Sequence, residues 1–68
     1  MPFADIYVPF PLEACFTYRV PDGMPLSMGQ RVKVEFGNRN TTGWVADVHD
    51  REPALPSKTK DVLAVIDA

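Results

Sequence analysis

The sequence predicts an all-β protein, a small antiparallel barrel or roll of four to five short strands occupying residues 1–68 as one domain. Three observations predict it. Apolar and polar residues alternate with period two in several short runs, turns containing proline or glycine separate those runs, and no stretch carries helical periodicity. Closing such a sheet also removes the free edges that invite aggregation, which favours a barrel over an open sheet.

Residues 3 to 8 (FADIYV) mix apolar and polar side chains as an edge or half-buried strand does, and Pro9 and Pro11 then stop regular pairing. Phe16, Tyr18 and Val20 alternate with Thr17 and Arg19, which puts both aromatics on one face of a second strand, closed by the turn chemistry of Pro21, Asp22 and Gly23. The clearest signal is GQRVKVEFG, residues 29 to 37. Val32, Val34 and Phe36 form an apolar face there and Arg31, Lys33 and Glu35 a charged one. Gly37, Asn38, Arg39 and Asn40 make a turn, and residues 41 to 49 (TTGWVADVH) return as the other half of a hairpin. A loop from Asp50 to about Lys60 contains Pro53 and Pro56. The apolar stretch Val62 to Ile66 reads as a last strand because of its β-branched content.

A chain of 68 residues hides only about 60% of the surface that its unfolded form exposes, so its core is thin. Nothing approaches the roughly 20 consecutive apolar residues needed to span a bilayer. The first twelve residues lack a basic start and are broken by prolines at 2, 9 and 11, unlike a secretory signal. The single cysteine, Cys15, excludes a disulfide framework and fits a reducing compartment, so the expected location is the cytoplasm. A net charge of −2 argues against charge-driven binding to duplex nucleic acid but not against recognition of a strand end.

No glycine-rich phosphate loop is present, and Cys15 and His49 are the only strong metal ligands, so neither ATP binding by that route nor a structural metal is expected. Cys15 with His49 is a formally possible nucleophile and base pair, without the local sequence context of known nucleophiles. The simpler reading makes Cys15 an apolar filler beside a strand and His49 a solvated residue at a strand end. Acid pairs such as Asp47 with Asp50, or Asp61 with Asp67, read as solvated faces and turns rather than acid/base partners. Phe16, Tyr18 and Trp44 read first as core, although any exposed aromatic could stack a base. Gly37 adjoins the basic Arg39, and a glycine lets a ligand approach the backbone, so both are candidate contacts.

Taken in order, VPFPLEACFTYRVPDGMPLSMGQRVKVEFGNRNTTGWVADV resembles the start of the PriA family of primosomal replication-restart helicases. The family pattern is a proline-containing first strand, a Phe/Tyr strand, a Pro-x-Gly turn, Gly-x-Arg-Val-x-Val-x-Phe-Gly, and a glycine-containing return strand. Those elements cover Ala4 to about Val48 here, and Leu55 to Ile66 resembles a weaker continuation. The resemblance implies an OB-like barrel, non-catalytic by itself, that binds the 3′ end of the nascent leading strand at a stalled fork. It further implies a larger ATP-dependent DNA helicase, whose motor, winged helix and zinc motif lie outside this chain. No cofactor is expected in the module itself. Its implied partners are the DNA 3′ end, the other domains of the same helicase and primosome proteins, with no membrane.

Carried over by position, the family pocket maps to Phe16, Thr17 and Tyr18, then Gly37, then Lys60, with Lys58 as a nearby substitute. A backbone group at the glycine turn would reach a free 3′ hydroxyl, and the lysine would pair with phosphate. Thr17 stands where the family pattern implies an acidic residue, and its single hydroxyl makes fewer contacts to base edges. Two competing readings are an SH3-like protein-interaction barrel, which needs exposed aromatics in a row, and an enzyme using Cys15 and His49, which needs those side chains within about 3 to 4 Å. Phe3, Leu12 and Leu63 are expected to be covered only by further parts of a longer protein.

Overall fold

The computed structural model describes residues 2–9, 13–54 and 59–66. Its strands are β1 (Phe3–Val8), β2 (Ala14–Arg19), β3 (Arg31–Phe36), β4 (Arg39–His49) and β5 (Ala64–Val65). They form one sheet in the order β2-β1-β4-β3-β5, with every ladder antiparallel. Among the described residues no helix is long and apolar enough to cross a membrane.

Period-two alternation sorts the side chains. Ala4, Ile6 and Val8 of β1, Tyr18 and Val20 in and just after β2, Val32 and Val34 of β3, and Val45 of β4 form the core, joined by Val62. Ile6, Val8, Val32, Val34 and Val62 are fully buried, each stabilising the fold by about 1.5–3 kcal/mol relative to exposure. The β3–β4 hairpin turns at Gly37 and Asn38, between the paired Phe36 and Arg39. Gly37 has φ +63°, at the position that two-residue hairpins of the II′ kind give to glycine. Arg39 and Asn40, expected in the turn, already belong to β4.

Two features of β4 set the geometry. At Gly43 a Cβ would lie 2.4 Å from Ile6 Cγ2 and 3.0 Å from the Tyr7 carbonyl, so its bare backbone lets β1 pack tightly against β4. Further along, Asp5 pairs with Asp47 but Ile6 pairs with Val45, leaving Ala46 as the extra residue of a β-bulge. The bulge reverses the alternation. Asp47 and His49 therefore share the outer face with Asp5 and Phe3 instead of following Val45 into the core.

The sheet curls strongly. β2 and β3 stand three places apart in strand order, about 14 Å in a flat sheet at ordinary strand spacing. Yet the Tyr18 hydroxyl donates to the Glu35 carbonyl at 2.8 Å, and the rings of Phe16 and Phe36 lie 4.9 Å apart. Even so, the sheet does not close, and the expected OB-like barrel gives way to an open five-stranded antiparallel sheet. Closure needs a ladder between the two edge strands, β2 and β5. β5 is only two residues long and spends its pairing on β3. Among the described residues, β2 and the approach to β5 share a single parallel bridge, Arg19 with Asp61, held by Arg19 N–H to the Lys60 carbonyl (2.8 Å) and Val62 N–H to the Arg19 carbonyl (2.9 Å).

Candidate functional site

The curl leaves an open cleft of about 400 Å³ between β2 and β3. β2 lines it with Phe16, Thr17 and Tyr18, and the β3 end with Glu35, Phe36 and Gly37. Pro53, Ala54, Thr59 and Lys60 complete it from the segments that follow β4 and precede β5. Thus Phe16, Thr17, Tyr18, Gly37 and Lys60 come together, while Arg39 is exposed at the start of β4 and does not line the cleft. Lys58 lies outside the described residues, as do Leu12 and Asp67.

The lining residues of β2, β3 and the Gly37 turn, and Lys60, have defined partners. Phe16 and Phe36 face each other at an interplanar angle of 51° and present half-buried rings. Tyr18 is buried, with its hydroxyl committed to the Glu35 carbonyl; burial first, and then the nearby Glu35 charge, raises its pKa above the ordinary value. The Lys60 ammonium lies 2.6 Å from Glu35 Oε1 and donates to the Gly37 carbonyl at 3.3 Å. The hydroxyl of Thr17 turns the other way and donates to Asp5 Oδ1 at 2.9 Å on the outer face. A second depression shares Glu35, Thr59 and Lys60 with the cleft and adds Arg19, Asp61 and Leu63, with Arg19 and Asp61 paired at 2.9 Å. Glu35 escaped sequence reasoning because alternation assigns it to the charged face of β3. Pro53, Ala54 and Thr59 carry no signal beyond loop composition.

The outer face holds a polar network on three strands. His49 Nε2 lies 2.9 Å from Asp5 Oδ1, its ring stacks on Phe3 at 6.4 Å, and Arg51 approaches Asp5 at 4.0 Å and Asp47 at 3.4 Å. Burial pushes the Asp5 carboxyl up, but hydrogen bonds from His49 and Thr17 and the charges of His49 and Arg51 outweigh it and hold it below 3.8. His49 is therefore not a solvated end residue, since only 9% of its side chain is exposed. Nor is Cys15 an apolar filler. Its neighbour Phe16 faces inward, so alternation leaves Cys15 exposed beside Tyr7. Cys15 pairs with Tyr7 and His49 with Phe3, positions four residues apart along β1, or roughly 13 Å. The two do not form a nucleophile and base pair. Phe3, expected to need an external cover, is 5% exposed, whereas Leu63 is 48% exposed. Trp44 is 38% exposed and pairs with Tyr7, the short aromatic row of the outer face. Among the described residues no cluster of His, Cys, Asp and Glu could hold a metal.

A family model described as the 3′ DNA-binding domain (3′BD) of PriA matches residues 5–68. The chain belongs to the PriA 3′ DNA-binding domain family. The replication restart protein PriA of Haemophilus influenzae is 37% identical over 57 residues, which cover 84% of this chain. The chain spans 8% of the length of that relative. This PriA 3′BD chain is accordingly a DNA-binding domain.

Proposed function

We propose that this chain holds the 3′ end of the nascent leading strand at a stalled fork, as one module of an ATP-dependent replication-restart helicase in the cytoplasm. The observation that carries the reading is the meeting, at one cleft, of half-buried rings, a turn carbonyl and a lysine drawn from Phe16–Tyr18, Glu35–Gly37 and Lys60. In this reading the terminal base lies against Phe16 and Phe36, since stacking on aromatics tolerates any base. The Gly37 carbonyl accepts a hydrogen bond from the free 3′ hydroxyl, and Lys60 pairs with the terminal phosphodiester. Thr17, whose hydroxyl already serves Asp5, contributes its flank rather than a base-edge contact. Arg39 offers a charge for the strand beyond the cleft. The partners are the DNA end, other domains of the same helicase and primosome proteins, while ATP and zinc belong to those other domains.

The test is fluorescence anisotropy of the chain with a short labelled single strand ending in either a 3′ hydroxyl or a 3′ phosphate. Several-fold tighter binding of the hydroxyl end is expected. Equal affinities for the two ends, or no binding of either, would refute end recognition.

A further inference from the structure

The function proposed above uses Lys60 and Gly37, but the shortest charged contact in the cleft belongs to Glu35. Its carboxylate lies 2.6 Å from the Lys60 ammonium, which in turn lies 3.3 Å from the Gly37 carbonyl, so the carboxylate and the carbonyl are less than about 6 Å apart. Any group placed to donate to Gly37 therefore sits beside a negative charge. We propose that Glu35 is the specificity-determining residue that rejects a phosphorylated 3′ end and admits a free hydroxyl, an inference that rests on the 3′-end reading of the cleft.

The chemistry of the two ends separates them. A hydroxyl is neutral and carries a proton, and both the carboxylate and the carbonyl can accept it. A terminal phosphate carries a charge near −2 at neutral pH and has no proton to offer either acceptor. If a phosphate at Gly37 brings two negative charges to about 6 Å from the carboxylate, the repulsion is worth roughly tenfold in affinity at the dielectric of bulk water, before the Lys60 ammonium and salt reduce it to several-fold. That separation is inside the screening length at physiological salt, so the repulsion persists. Glu35 also occupies Lys60, so a phosphate at the terminus must compete with a carboxylate already in place. About half of each side chain in the Glu35–Lys60 pair is exposed, so the pair contributes little to stability and its removal leaves the fold in place.

The experiment compares the chain with Glu35→Gln and Glu35→Asp against strands ending in a 3′ hydroxyl and a 3′ phosphate, with thermal melting to verify that each variant is folded. Wild type should favour the hydroxyl end several-fold. Glu35→Gln should bring the ratio close to one, chiefly by tightening the phosphate end, and Glu35→Asp should retain most of the preference. If wild type prefers the hydroxyl and Glu35→Gln preserves that ratio, the role given to Glu35 is wrong and the end-binding function stands. If wild type shows no preference, the end-binding function itself falls, and the role of Glu35 with it.

Discussion

At Lys60 a single ammonium is shared between the Glu35 carboxylate at 2.6 Å and the Gly37 carbonyl at 3.3 Å, so the charge proposed to meet phosphate is held at the cleft by two oxygens. Lys60→Met keeps the aliphatic stem and removes the charge. It should weaken binding of a short single strand and make the plot of log affinity against log salt shallower by about 0.7, the value of one phosphate contact on a single strand. An unchanged slope, from titrations across salt concentrations, would assign the phosphate to another cation. Lys60 and Gly37 were legible from their order along the chain, because the family pattern carries both. Glu35 was not, because alternation along β3 describes one strand, whereas its meeting with Lys60 depends on where a segment some 25 positions later crosses the sheet.

β4 is the element that organises the others, pairing with β1 on one side and β3 on the other. Its glycine at position 43 is a packing requirement, since a methyl group there would meet the Ile6 side chain at 2.4 Å and the Tyr7 carbonyl at 3.0 Å. Gly43→Ala should destabilise the fold by about 1–3 kcal/mol, the usual cost of overpacking, measured by urea unfolding. A loss below a few tenths of a kcal/mol would mean that β1 can move aside freely. The strands themselves were largely readable from alternation, as Val32 and Val34 of β3 demonstrate. The bulge at Ala46 was not, and it is why His49 lies beside Asp5 and Phe3. One inserted residue reverses every later side chain, and nothing local in TTGWVADVH marks where the insertion falls.

Across the whole molecule, the Asp5 network ties β1 to β2 through Thr17 and to β4 through His49. Burial opposes ionisation of Asp5, but the hydrogen bonds and cationic neighbours prevail, so its pKa in the fold lies below the ordinary 3.8. The unfolded chain therefore takes up the proton more readily than the fold. The stability contributed by Asp5 is complete above its ordinary value and is lost as pH falls through the lower, folded value. Asp5→Asn should remove this component, so thermal melts between about pH 2 and 5 should fall less steeply for the variant than for wild type. Parallel acid limbs would show that Asp5 is not the group responsible. By itself the sequence determined the all-β class, most strand positions, the Gly37 hairpin and, through the family pattern, five of the residues that line the cleft: Phe16, Thr17, Tyr18, Gly37 and Lys60. Those features follow from residue order and from interactions between near neighbours. Only the tertiary structure decided that the sheet stays open, that Glu35 enters the cleft and that Arg39 does not. Closure depends on how many residues of the last segment can pair with β2, and the answer, one bridge among the described residues, comes from the curl of the whole sheet rather than from any run of residues.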